Sequence, residues 1–310
     1  MVFAAAGAAV GLAFSFGGSV SSAATASSSS WIGYSEDSSS TFTHGVRLLN
    51  VNTGAHRLLA RNQSMHMPSW SPDGKRMAVE YHGWLQSGGR DPAQISVIRL
   101  RDGRIHRITH SWAHVYEQPA WSPDGRQIAF SGSQPYCDPN CQGGIWLMNA
   151  SGGNEQQLTQ NESGDYCARW SPDGRQIAFV RYGEAWPARD LWLMQSDGTR
   201  QHLLVRGASC AAWSPDGTQL AISQMTGRST GCGCALTDLY LADSGGAHSR
   251  LLIRNGGSAT WSPNGKRIVF VRWQRGKTHL WLIRPDGTGL RQLTHGRNSQ
   301  AAPAWQPIAK

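Results

Sequence analysis

Few residues in this chain stand in a pattern that chemistry requires. Gly227-Arg228-Ser229-Thr230-Gly231 fits the Gly-x-Ser-x-Gly pattern of hydrolases. That pattern works when the serine sits on a strand-to-helix elbow beside an oxyanion hole. Here the flanking sequence reads as a Gly/Ser-rich loop between two strands, so Ser229 is not expected to be a nucleophile. Glu80, His82, Glu117 and Asp165 are the side chains that could move protons or hold a metal in a glycan-cleaving protein. Their spacing matches no catalytic or ligand signature, so no catalytic residue, metal or cofactor is expected.

The remaining candidates suit binding. Arg beside Tyr or Trp is the composition of protein–protein hot spots, and it occurs at Arg181-Tyr182 and Arg272-Trp273, with Tyr81, Tyr116, Tyr166 and Arg169 nearby in sequence. Six cysteines, Cys137, Cys141, Cys167, Cys210, Cys232 and Cys234, make an even set, as expected for disulfides in an oxidising compartment. Sequence alone does not give their pairing. Cys232-Gly-Cys234 could chelate a soft ion, but without Cys-x-x-Cys or His spacing a disulfide role is expected instead.

The elements that position these residues come from a repeat. Trp-Ser-Pro-Asp/Asn-Gly followed by an apolar β-favouring segment begins at Trp70, Trp121, Trp170, Trp213 and Trp261, and a degenerate copy, Trp-Gln-Pro, begins at Trp305. Successive tryptophans are 51, 49, 43, 48 and 44 residues apart. Strand-rich periods of 40–50 residues indicate propeller blades. In each unit, one strand ends in Trp. Ser-Pro-Asp-Gly then makes a tight turn, with Pro presetting φ and Gly taking positive φ. A second strand follows, then a variable loop, then a third strand such as Leu191–Met194 or Leu280–Ile283. Asp197-Gly198 or Asp286-Gly287 turns the chain into a fourth strand.

Before Trp70 only three strands are legible, Trp31–Ser35, Val46–Val51 and His56–Ala60, and Ala302–Gln306 supplies the missing one. The expected fold is therefore all-β: a six-bladed propeller of four-stranded antiparallel blades, closed by the C-terminal strand completing the N-terminal blade and so removing an open edge. The six tryptophans are expected to fill the space between radially packed sheets, not to stack on ligands.

These motifs resemble the WD-like repeats of the TolB family of β-propellers, over roughly residues 31 to 306. The resemblance implies a periplasmic, non-enzymatic adaptor that binds envelope proteins. The chain reads as a stand-alone propeller, without the α/β domain that precedes the propeller in TolB.

Antiparallel blades sort the loops. The stereotyped Pro-Asp-Gly and Asp-Gly turns share one face. The variable loops and the blade-to-blade connections share the other, where function usually sits on a rigid scaffold. Glu80, Tyr81, His82, Tyr116, Glu117, Asp165, Tyr166, Arg169, Arg181, Tyr182, Arg272 and Trp273 are assigned to that loop-rich face, together with all six cysteines.

Residues 1–26 read as a signal peptide: an apolar run from Val2 to Phe14, then Ala24-Thr25-Ala26 as a small-residue cleavage site, though no Lys or Arg precedes Arg47. The run is too short to span a membrane. Residues 27–30 would be a disordered mature N-terminus and 31–310 the propeller. Export to the periplasm or extracellular space is expected, as a monomer with no transmembrane segment in the mature chain. The net charge of +9 admits an anionic cell-envelope polymer as a partner beside an envelope or secreted protein. Many of the cations recur beside the turn aspartates, and export removes nucleic acid from reach, so no nucleic-acid partner is expected.

Overall fold

The computed structural model describes residues 30–37, 44–60, 64–82, 92–111, 114–133, 143–183, 189–229, 235–274 and 276–308. Among these, twenty-four strands and no helix occur, arranged as six four-stranded antiparallel sheets. Blade one contains β1 (Trp31–Asp37), β2 (His44–Asn50) and β3 (His56–Leu58), with β24 (Ser299–Trp305) as its innermost strand. Ile32 pairs with Trp305 and Asp37 with Ser299, so the C-terminal strand closes the ring as the sequence implies.

The other five blades are continuous in sequence. They comprise β4 (Ser64–Trp70) to β7 (Ile105–Arg107), β8 (Val115–Trp121) to β11 (Gln156–Gln157), and β12 (Asp165–Trp170) to β15 (His202–Val205). Next come β16 (Ala208–Trp213) to β19 (Arg250–Ile253), and β20 (Gly256–Trp261) to β23 (Arg291–Gln292).

The Ser-Pro-Asp-Gly turn satisfies its own polar groups. Ser71, Ser122, Ser171, Ser214 and Ser262 each accept the N–H five residues on, at 2.9 Å. Their hydroxyls also donate to the turn Asp or Asn. These donated bonds help hold the carboxyls of Asp124, Asp173 and Asp216 below the usual carboxylate range. The turn glycines stand at φ of 65–74°, which a side chain would strain. The repeated aspartates are thus structural.

The core is divided into six apolar clusters, one at each junction between neighbouring blades, and each motif Trp belongs to the junction with the preceding blade. The indole N–H groups of Trp70, Trp170, Trp213 and Trp261 reach across to the carbonyls of Ala304, Ala120, Arg169 and Ala212, at 2.9–3.2 Å. Each of these rings is therefore both the filling and a polar tie between blades.

Every inner strand carries a β-bulge centred three residues before its Trp. Met67, Gln118, Cys167, Ser258 and Ala302 occupy that place with φ between 47° and 59°. The bulge amide is freed from its own ladder and bonded by the neighbouring blade. Met67 N donates to Ser35 Oγ, Gln118 N to Glu80 Oε2, Cys167 N to Gln118 Oε1 and Ser258 N to Ser223 Oγ.

Candidate functional site

The loop-rich ends of blades two, three, four and six hold the assigned binding residues other than Arg169, but in different roles. Asp165 opens β12 with a fully buried carboxylate. Arg181 of the paired strand β13 (Gln176–Tyr182) grips it through two bonds of 2.8 Å and stacks over Trp192 at 4.6 Å. Asn161 adds a longer contact to the same carboxylate. This pair is internal structure. Tyr116 is also a core residue, 3% exposed, its hydroxyl held by Glu155 at 3.0 Å. Tyr81 packs on the apolar cluster between blades one and two.

Three corrections to the sequence reading follow from the bulge and from the direction of the inner strands. Tyr116, Asp165 and Arg181 face inward and are unavailable as exposed contacts. Arg169 is not at the loop-rich end: it directly precedes Trp170 and the turn at 171–174, so it lies at the opposite end of β12. Cys167 and Cys210 are not in loops either. They occupy the bulge positions of adjacent inner strands and form a disulfide with a Cα–Cα distance of 5.8 Å. Cys137, Cys141, Cys232 and Cys234 lie outside the described residues.

The Cys167–Cys210 bridge closes a segment with a sequence separation of 43 residues. Replacing both cysteines with serine is expected to lower stability by about 2–4 kcal/mol. Urea denaturation read by Trp fluorescence checks this, and an unchanged midpoint would count against a stabilising bridge.

Glu80, His82 and Glu117 do come together. Glu80 accepts from Gln118 N through one oxygen and meets His82 Nε2 at 2.6 Å through the other. The His66 ring lies 5.7 Å from that of His82. Burial, reinforced by the Glu80 charge, pushes the Glu117 carboxyl up to about 7. Because 7 lies above the unfolded value of 4.5, the neutral acid favours the folded state. That contribution is complete below about pH 4.5 and is lost as pH rises through about 7. Glu117→Gln is therefore expected to stabilise the protein by about 1–3 kcal/mol near pH 8 and to flatten its stability between about pH 5 and 8. Denaturation midpoints at several pH values read both effects; parallel profiles for the two proteins would contradict them.

At the loop end of blade four, the half-buried Tyr166 and Tyr182 stack with centroids 4.6 Å apart, and the Arg189 guanidinium lies 5.1 Å from Tyr182 and 5.9 Å from Tyr166; Tyr166 also packs on the cluster between blades four and five. Arg189 begins β14 (Arg189–Gln195) and was missed in the sequence because it reaches Tyr182 only through the pairing of β13 with β14. Arg272 covers Trp281 at 5.2 Å, and Trp273 is half-buried beside it.

In blade five the hairpin of β17 (Gln219–Ser229) and β18 (Ala235–Asp243) is longer than its counterparts. It helps line an open polar pocket of about 320 Å³, with Thr226, Arg228, Asp238, Tyr240 and Arg254 in its wall. Arg228 pairs with Asp238 at 3.2 Å. Ser229 lies at the end of β17 and not on an elbow before a helix, so the hydrolase pattern lacks its structural context. Among the described residues no group of His, Cys, Asp or Glu is arranged to hold a metal ion, and no helix is long and apolar enough to cross a membrane.

The ring of six Trp-Ser-Pro-Asp/Asn-Gly blades, closed by the C-terminal strand, defines a β-propeller of the repeat type seen in the sequence. Residues 23–204 match the family model described as the TolB beta propeller domain, and the chain belongs to that family. A protein of Agrobacterium fabrum with no assigned role is 30% identical over 138 residues, covering 44% of this chain and 43% of that protein. The Tol-Pal system protein TolB of Francisella tularensis is 32% identical over 94 residues, covering 30% of this chain and 19% of TolB. The matched part thus spans less than half the length of these relatives. TolB from Acinetobacter baumannii superposes with a TM-score of 0.73 at 19% identity, over 90% of this chain and 67% of that one, which reports a shared fold.

Proposed function

We propose that the protein is an exported, non-catalytic adaptor that binds an envelope or secreted protein through its loop-rich face. The observation that carries this reading is the half-buried Tyr166–Tyr182 stack under Arg189 at the loop end of a rigid blade. Stacked aromatics with a planar cation bury much surface at little cost in side-chain entropy, as binding hot spots do. The named curated relatives, TolB of the Tol-Pal system, support a protein partner. Export is supported by the apolar N-terminal run and by the Cys167–Cys210 disulfide, which suits an oxidising compartment.

A second reading, glycan binding or cleavage, is favoured only by the Glu80, His82 and Glu117 grouping, where one carboxyl stays protonated close to neutrality.

The test is a cross-linking pull-down from the producing organism's envelope with the 31–310 chain as bait. The control bait carries Tyr182→Ala and Arg189→Ala, with its fold checked by circular dichroism. The adaptor reading expects one protein to be recovered by the first bait and lost, by tenfold or more, with the second. Undiminished recovery would reject the site. Glycan turnover abolished by Glu117→Gln would move the second reading to the front.

A further inference from the structure

The inner strands show the same pattern of accessibility in nearly every blade. Pro68, Pro119, Ala168, Ala211 and Pro303, two places before the motif Trp, are buried. Ser69, Arg169, Ala212, Thr260 and Ala304, one place before it, stay partly accessible. Neighbouring blades and the second strand of its own blade cover an inner strand on every side but one. The open side is the axial channel, which puts the partly accessible Ser69, Arg169 and Thr260 beside it near the turn face, whereas the alanines at this place pack on the clusters between blades.

Around this ring, residue type alternates. Blades two, four and six place Ser69, Arg169 and Thr260 there, whereas blades three, five and one place Ala120, Ala212 and Ala304. Ser69 Oγ accepts the N–H of Trp121 at 3.0 Å, and Thr260 Oγ1 accepts that of Trp305 at 3.2 Å. These bonds fix both hydroxyls to the channel wall through oxygen lone pairs. The O–H of each has no acceptor among the described residues and remains available to donate.

Arg169 supplies the charge. Its Nη1 donates to the carbonyl of Ala168 at 2.7 Å, and no carboxylate pairs with it among the described residues. Burial, with no compensating charge, draws its ionisation down to about 10. A guanidinium left so enclosed and unpaired is costly unless an anion completes it.

We propose that Arg169, Ser69 and Thr260 form an axial binding site for a carboxylate, entered from the turn face of the propeller. The planar guanidinium suits bidentate pairing with a carboxylate, and two hydroxyl donors from alternate blades complete the shell. The carboxylate comes from a free small acid or from the C-terminus of a peptide reaching into the channel. The site is distinct from the loop-rich face and does not depend on the adaptor reading.

Thermal unfolding and arginine Nε–H NMR at low ionic strength test the site, with acetate, triglycine and triglycine amide as probes. Acetate is expected to raise the Tm of the wild type by about 2–4 °C and to shift one arginine resonance. Arg169→Met loses both responses, and without ligand it is at least as stable as the wild type because an uncompensated charge is gone. Ser69→Ala and Thr260→Val, which keep Arg169, weaken acetate binding roughly tenfold each and serve if Arg169→Met does not fold. A response to acetate alone assigns a free small acid. A response to triglycine but not its amide assigns a peptide terminus. No saturable response to acetate or triglycine, or the same response in Arg169→Met and in both hydroxyl variants, would overturn the proposal.

Discussion

Deleting residues 299–310 is expected to abolish cooperative folding. The deletion removes β24, the innermost strand of blade one, and with it the ladder that joins β24 to β1 from Trp305 to Ser299. It also takes Trp305 from the cluster between blades six and one. Gln300 is lost as well, a 1% exposed side chain that bonds His279 and Thr294 at 2.9 Å. Blade one would keep three strands, and the inner edge of β1 would lie open to the channel and to other chains. Because a ring transmits strain all round, the loss is expected to exceed the ~5–15 kcal/mol that typically holds a domain together. A broad, non-cooperative melt with aggregation is the expected calorimetric result. A sharp transition near the wild-type Tm would show that closure contributes little.

Arg181→Ala is expected to cost about 3–5 kcal/mol, the usual penalty for stranding a buried charge. The Asp165 side chain has no exposure, and the Arg181 side chain only 21%, so water cannot replace the lost guanidinium. The substitution also removes the cation resting on Trp192 and a bond to Gln201 at 3.0 Å. The double variant Asp165→Asn, Arg181→Met should recover much of the loss, since it removes both charges and retains packing. Chemical denaturation of the single and double variants reads this directly. Equal losses in both would mean that packing, and not the pair, holds the site. Charge reversal at Arg181 is for the same reason unsuitable as a surface probe.

The repeat made the architecture readable because it encodes local geometry: Pro and Gly fix the turn, and the motif Trp fixes the junction it fills. The closure by β24 was readable for the same reason, since Trp305-Gln306-Pro307 still carries the motif in a strand with no other partner. What sequence did not reveal is what the bulge does. A register shift three residues before Trp leaves no residue signature: Met67, Gln118, Cys167, Ser258 and Ala302 share no chemistry, yet all adopt positive φ. Asp165 and Arg181 pair with each other at the loop end of β12 and β13 and bury the carboxylate, while the direction of β12 puts Arg169 at the turn end. Cys167 and Cys210 each stand three residues before a motif Trp in neighbouring blades, but only the packing of those blades shows that they pair. Arg189 gained its meaning only from strand pairing and from Tyr166 on β12, and Arg254 only from the β17–β18 hairpin.

The central claim is that the adaptor's protein partner meets the loop-rich face at blade four, independently of any ligand that enters the axial site. Its most direct test is site-specific photo-cross-linking in the producing cells, with the photoreactive residue at Tyr182 on the rim of blade four or at Thr218 in the Pro215-Asp216-Gly217 turn of blade five. The account predicts a discrete protein adduct from position 182 and none from position 218. An adduct from position 218 alone would contradict it and place the partner on the opposite face.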